Sequence, residues 1–387
     1  MEFPTQMITR LFQPPMQSFF LFGPRGTGKS TWLQNAFPKA RYLDLLDPQT
    51  ARGYSAHPEK LLEIVAAGIS SNVLIIDEVQ KIPELLDVVH MLREKYPAIQ
   101  FILTGSSSRK LKKSGVDLMA GRAVVKTMHP FMATELGELF ALESALQTGM
   151  IPLVVSSLDP LETLDAYLAL YIREEVQQES LIRNIGAFGR FLEAASFSHG
   201  CVLNTTEIAR ECMVNRKTVA GYLEILEDLL LSFQVPVFSR RAKRKLSAHP
   251  KFYFFDCGVF RSLRPTGPID SDQEIGGAAL EGLVAQHLRG WLAYREAEGK
   301  LFFWRTRAGM EVDFVLYGEG LFVAIEVKNS RRVSTKMLRG LKRFREDYPE
   351  AQTVLLFRGQ DRLVKDGVLC LPCEEFLRSL KPGNPIL

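Results

Sequence analysis

Short, unbroken apolar runs organise the first third of the chain. Phe19-Phe20-Leu21-Phe22, Val73-Leu74-Ile75-Ile76 and Phe101-Ile102-Leu103 carry no alternating polar positions. Such runs read as strands buried on both faces, as in a parallel sheet. Strands are predicted at 18–22, 41–45, 73–77, 100–104 and 123–127 with helices between them. This alternation gives an α/β fold, a parallel sheet covered by helices on both faces. The period changes after residue 130. Helices are predicted over Ala133–Leu146, Leu161–Gln177 and Gln178–Ser196, with Leu161, Leu164, Tyr167, Leu168 and Tyr171 at helical spacing and Pro152 and Pro160 bracketing the first break. From 201 the pattern is a helix opened by a capping threonine, Thr205, a turn at Met213-Val214-Asn215, and a second helix, Arg216–Leu226. Two strands follow, Leu231–Phe238 and Lys251–Phe255, which together make a helix-turn-helix with a wing. The last part predicts a helix, Ala278–Tyr294, strands at Leu301–Arg305, Glu311–Leu316 and Phe322–Lys328, and a basic helix from Lys336 to Arg345.

The polar residues at the ends of the three apolar runs carry the chemistry. The first run enters Gly23-Pro24-Arg25-Gly26-Thr27-Gly28-Lys29-Ser30-Thr31, which has the spacing G-x-x-x-x-G-K-[ST]. Glycines let backbone N–H groups converge on phosphate oxygens. The following helix turns its positive end to them. Lys29 is placed to reach β- and γ-phosphates, and the Ser30 hydroxyl to ligate Mg²⁺. The second run ends in Asp77-Glu78, with Asp77 expected to hold Mg²⁺ and Glu78 to polarise the attacking water. The third ends in Thr104-Gly105-Ser106, where Thr104 or Ser106 is expected to sense the γ-phosphate. Arg122 is the candidate arginine finger toward a neighbouring subunit, with Arg173 its rival. The implied cofactors are ATP and Mg²⁺.

Two further clusters lie downstream. If the winged region binds DNA, Arg216 and Lys217 sit near the groove, and Arg240, Arg241, Lys243, Arg244 and Lys245 in the wing grip phosphate. In Glu326-Val327-Lys328 both polar side chains fall on one face of a strand, and Asp313 comes from the neighbouring strand of a hairpin. Two carboxylates and a lysine at one spot can bind Mg²⁺ and activate water for phosphodiester cleavage, with Glu281 a further ligand from the preceding helix. Cys370-Leu371-Pro372-Cys373 has no second pair and reads as small apolar residues at a strand end, and the six histidines show no ligand spacing.

Composition narrows the setting. A chain of 387 residues with 46% hydrophobic residues supports two or three buried cores. No apolar run reaches the roughly 18 residues of a membrane span. The N-terminus lacks the pattern of a signal peptide, and five cysteines are too few for a disulfide framework, so a cytoplasmic protein is expected. The net charge of +4 conceals a gradient: +5 over residues 1–130, −9 over 131–230 and +8 over 231–387. The basic ends suit phosphate and the acidic middle does not.

Together these motifs resemble one widespread prokaryotic family of AAA+-type P-loop ATPases with a winged helix and a C-terminal domain of unknown function. The resemblance spans nearly the whole chain. It rests on Gly23–Ser30, Asp77-Glu78-Val79-Gln80, Leu103–Ser107, Ala120-Gly121-Arg122, Lys251–Gly258, and Arg305 through Asp313 into Glu326-Val327-Lys328. The last set is similar to the PD-(D/E)xK arrangement of restriction-endonuclease-like cores, although no Pro-Asp pair precedes Asp313, and Cys257 stands where many relatives have threonine. The resemblance implies a P-loop domain over 1–130, a helical lid over 131–200, a winged helix over 201–262 and a nuclease-like α/β domain over 263–387. It also implies a homo-oligomer, since such sites borrow an arginine from a neighbour. The expected activity is Mg²⁺-dependent ATP hydrolysis coupled to DNA. The alternatives are an ATP-dependent nuclease using Asp313, Glu326 and Lys328, or an ATP-driven switch acting on a protein partner.

Overall fold

In the computed structural model, residues 8–69, 71–106, 123–172, 184–239 and 249–387 are described. The chain divides into two compact units. One holds Phe12–His129 with Asp228–Leu230. The other holds Met1–Leu11, Pro130–Glu227 and Leu231–Leu387.

The first unit is built on five parallel strands: β1 (Phe19–Phe22), β2 (Arg41–Asp44), β3 (Val73–Asp77), β4 (Gln100–Gly105) and β5 (Val124–Thr127). Their order is β2-β3-β4-β1-β5. The predicted strands therefore form, and within a residue or so of the expected limits. Period-two alternation divides each apolar run between two cores. Phe20, Phe22, Leu74, Ile76, Phe101 and Leu103 join one cluster with Leu85, Val89 and Leu92 of the helix Leu85–Lys95. Phe19 faces the opposite side, where Phe12 packs against it and, edge-on at 4.9 Å, against Trp32 of the helix Lys29–Ala36. Burying each such side chain contributes about 1.5–3 kcal/mol, which fixes the strand ends where the loops with polar residues emerge. The strand order reverses at β1, the place where open α/β sheets leave a crevice beyond the carboxyl ends.

The second unit contains two sheets. The smaller has order β6-β8-β7, from β6 (Cys201–Val202), β7 (Ser232–Val235) and β8 (Lys251–Phe254), all antiparallel. The larger runs β13-β14-β12-β11-β10-β9, from β9 (Gly299–Arg305), β10 (Glu311–Gly318), β11 (Leu321–Lys328), β12 (Gln352–Phe357), β13 (Leu363–Lys365) and β14 (Val368–Pro372). A short strap joins the two sheets: Phe303 N donates to Pro236 O at 3.0 Å and Phe238 N to Phe303 O at 2.6 Å. Phe238 is buried among Phe302, Tyr317, Phe322, Phe344 and Tyr348, with ring centroids 5.2–6.2 Å away. This strap carries the small sheet against the large one. A long helix, Asp272–Tyr294, capped by Ser271, packs on β9 and β11.

Several helices differ from expectation. Ala133–Leu146 is interrupted: a first turn, Ala133–Leu136, stops at Gly137, whose φ is +54°, and the helix restarts at Leu142–Thr148. Glycine is the residue that enters this left-handed region without cost. The next helix, Pro160–Ala166, passes into a π-helical stretch at Tyr167–Ile172. The third, Ile185–Ser196, begins where Asn184 accepts from Ala187 N at 2.9 Å. The cap of Thr205–Glu211 is Asn204 rather than Thr205, because the Asn204 amide oxygen accepts from Glu207 N. Among the described residues no helix is long and apolar enough to cross a membrane.

Candidate functional site

The loop leaving β1 is shaped by close backbone contact. A Cβ on Gly23 would lie 2.5 Å from Met128 O, so only glycine fits beside the strand end. Gly26 and Gly28 take φ of +77° and +82°, conformations that glycine adopts without strain. Thr27 Oγ1 donates to Pro24 O at 2.7 Å. Lys29, the first helical residue, is buried and folds back over the loop, its Nζ 2.7 Å from Gly23 O and 3.2 Å from Pro24 O. The helix has no side-chain cap and no acid in its first turn, so its positive end is left for an anion.

The acid pair stands on β3, separated from β1 by β4. Thr104 of β4, fully buried, lies between Asp77 and the Glu78 backbone. Its hydroxyl donates to Asp77 Oδ1 and accepts from Glu78 N at 3.1 Å. Tyr42 of β2 donates to the other oxygen, Asp77 Oδ2. Burial first, then the charge of Asp77 and the bond to it, raise the Tyr42 hydroxyl above the ordinary phenol range, so it remains a donor. Glu78 sits in the left-handed region, φ +60° and ψ +45°, which costs a non-glycine residue roughly 1–2 kcal/mol. Its carboxylate accepts from Gln80 Nε2, which also donates to Ser106 Oγ at 3.1 Å. The carboxyl edge therefore gathers Lys29, Ser30, Asp77, Glu78, Thr104 and Ser106. Sequence pattern missed Tyr42 and gave Gln80 no role beyond its place in the motif Asp77-Glu78-Val79-Gln80. Tyr42 carries no local signal, and Gln80 is flagged only by its place two residues after Glu78. Arg122 lies outside the described residues, as does Arg173. These groups fit a nucleoside triphosphate and Mg²⁺: a loop that excludes a Cβ, an ammonium already on its carbonyls, and a carboxylate held on both oxygens by Thr104 and Tyr42.

A second polar cluster is buried in the other unit. The β10–β11 hairpin sets Asp313 beside Glu326 and Lys328, and Asp313 Oδ2 accepts from Val327 N at 2.8 Å. Lys328 Nζ is 2.5 Å from Glu326 Oε1 and 3.9 Å from Asp313 Oδ2. Glu281, from the helix Asp272–Tyr294, accepts from Tyr253 Oη at 2.6 Å. All four residues expected here come together. Two more join them without having been expected. Lys251 of β8 reaches Glu281 at 3.0 Å, Glu311 at 2.5 Å and Asp313 at 3.5 Å, and Glu311 also faces Arg305 at 3.5 Å. Burial pulls the Lys251 ammonium down, but Glu281, Tyr253, Asp313 and Glu311 outweigh it and hold the group well above the usual lysine range. Burial, then the charge of Asp313, pushes Glu326 up to about 8. Among the described residues no group of three or more His, Cys, Asp or Glu is arranged to hold a metal ion.

The two helices expected to form a helix-turn-helix lie in the same unit: Thr205–Glu211, a turn in which Met213 takes φ +54°, and Arg216–Asp228. Asn215 Oδ1 accepts from Thr218 N at 2.8 Å and starts the second helix. Arg216 and Lys217 are exposed on its first turn, whereas Arg240, Arg241, Lys243, Arg244 and Lys245 lie outside the described residues.

Comparison with known proteins agrees on the first unit. Residues 16–137 match a family model described as an AAA domain, and residues 140–270 and 276–376 match two described only as domains of unknown function (DUF8612 and DUF4143). Uncharacterized proteins of Mycobacterium bovis and Mycobacterium tuberculosis are 26% identical over 367 residues, covering 92% of this chain and 80% of theirs. Solved structures similar in part include a replication initiator DnaA bound to AMPPCP and single-stranded DNA, at 17% identity and TM-score 0.27 over 55% of this chain and 82% of that one. AMPPCP-bound DnaA from Aquifex aeolicus gives 16% identity and TM-score 0.27 over the same shares.

Proposed function

We propose that the chain binds ATP with Mg²⁺, hydrolyses it, and couples the nucleotide state to DNA. One observation carries the reading. A P-loop with Lys29 on its carbonyls stands beside an Asp77 whose two oxygens are held by Thr104 and Tyr42. In this reading the loop N–H groups from Gly26 to Thr31 hold the phosphates, and Lys29 exchanges its carbonyl partners for phosphate oxygens. Ser30 and Asp77 hold Mg²⁺, which when bound neutralises charge on the transferring phosphoryl group. Glu78, oriented by Gln80, polarises the attacking water. Ser106 or Thr104 senses the γ-phosphate. An arginine from a second copy, Arg122 or Arg173, completes the site. DNA coupling is supported by the exposed Arg216 and Lys217 at the opening of the second helix and by the basic charge of the C-terminal part.

The test is ATP turnover by the purified chain in Mg²⁺, with and without double-stranded DNA, beside Lys29→Ala. Turnover is expected to rise with DNA and to vanish in the variant. Equal turnover in Lys29→Ala would remove the site assignment. Wild-type turnover indifferent to DNA would leave the ATP site standing and transfer the coupling to a protein partner.

A further inference from the structure

The acidic centre of the second unit does not fit a divalent cation as it stands. The reason is Lys251. Three carboxylates from two separate elements converge on its Nζ: Glu281 from the helix, Glu311 and Asp313 from β10, at 3.0, 2.5 and 3.5 Å. Mg²⁺ or Mn²⁺ would need such oxygens at about 2.0–2.2 Å, in the space where the ammonium already lies. An ammonium offers three donors and no acceptor, so each N–H has a carboxylate to meet. Lys251 cannot easily withdraw. Its side chain is 2% exposed, and its backbone lies in the central strand of the small sheet, paired with Val202 on one side and Val235 on the other. Tyr253, two residues on and so on the same face, donates to the same Glu281 oxygen at 2.6 Å. The ring of Phe303 lies 5.6 Å from Nζ. Glu326 Oε2, by contrast, is buried and makes no hydrogen bond, a ligand atom without a ligand.

We propose that Lys251 is a built-in substitute for the metal: its ammonium holds the carboxylates of Glu281, Glu311 and Asp313 together, so the wild-type centre takes up no divalent cation and does not cut DNA through one. Replacing the ammonium by an apolar side chain of similar length, Lys251→Met, vacates a site for one divalent cation among the carboxylates it held, those of Glu281, Glu311 and Asp313. This inference is independent of the ATP reading.

The experiment is a nucleotide-free Mn²⁺ titration followed by electron paramagnetic resonance, on wild type, Lys251→Met and Lys251→Met/Asp313→Asn. Wild type is expected to show no uptake that depends on Asp313. Lys251→Met is expected to gain one Mn²⁺ per chain, lost again in the double variant, and Mn²⁺ should raise the melting temperature of Lys251→Met alone. Uptake by wild type that disappears in Asp313→Asn would overturn the proposal. So would a folded Lys251→Met that binds no Mn²⁺. Where Lys251→Met fails to fold, wild type and Asp313→Asn still decide, since Asp313-dependent uptake refutes the substitution and its absence supports it.

Discussion

Thr104→Val isolates the hinge of the nucleotide site. Valine keeps the shape of threonine and removes only the hydroxyl, which is fully buried between Asp77 Oδ1 and Glu78 N. Two interactions vanish together. The hydrogen bond to the Asp77 carboxylate belongs to the class worth about 1.5–3 kcal/mol, and the Glu78 N–H is left without a partner at a cost of about 1–3 kcal/mol. Glu78 occupies a left-handed conformation, and the lost bond is one that retains it there. Asp77 keeps its second bond, from Tyr42, so Mg²⁺ and ATP affinity are expected to change little. The damage falls on the placement of the Glu78 carboxylate. If about 2 kcal/mol of the loss is felt in the transition state, kcat falls roughly 30-fold. The assay is steady-state ATP turnover against ATP concentration for wild type, Thr104→Val and Thr104→Ser, with binding of a fluorescent nucleotide as control. Serine restores the hydroxyl and should recover most of kcat. A valine variant with kcat within twofold of wild type would refute the positioning role. A change confined to KM would refute it too, because it would place the hydroxyl on the nucleotide rather than on the acids.

Glu78→Gln is expected to retain ATP binding and to slow hydrolysis on the order of a hundredfold, the range of a positioned base; an unaffected single-turnover rate would show that another group activates the water. Acidification should destabilise the second unit through His287, whose Nε2 accepts from Ala133 N at 2.9 Å and whose Nδ1 faces Leu283 O at 2.8 Å. Burial lowers this imidazole from 6.5 to about 4, only partly offset by Leu283 O. Its folded pKa is depressed, so the folded state favours the neutral ring, and stability present above pH 6.5 is lost as pH falls toward 4. The full difference is roughly 3 kcal/mol. Urea midpoints that do not move between pH 7.5 and pH 5, or move equally in His287→Gln, would count against it.

The proposed nucleotide site is read from local signals. A buried run announces a strand, and the polar residues just beyond it are the candidates, so Lys29, Asp77 and Thr104 stand out from where hydrophobicity stops. What could not be found is what crosses the sheet. Tyr42 meets Asp77 across 35 residues, and nothing in the stretch Arg41–Asp44 sets its phenol apart from an edge-strand aromatic. In the acidic centre, Asp313, Glu326 and Lys328 share a hairpin and were readable by strand period. Lys251 stood out only as part of a motif, because its partner Glu281 lies 30 residues away on a helix. The helix ends failed for a simpler reason. Asn204 and Thr205 are both good caps, and only backbone geometry chooses between them, while Gly137 breaks a helix whose apolar spacing continues past it.

The strap at Pro236–Phe238 bears on modularity. Phe238 follows the last strand-forming run of the small sheet in sequence, yet its ring completes the aromatic core of the large one. A fragment beginning after residue 262 would carry a hole where that ring sits, and one ending there would expose it to water. The carboxylates of the acidic centre and the lysine that neutralises them come from opposite sides of the same cut. A cut at residue 262 would therefore open the aromatic core and divide the acidic centre at once.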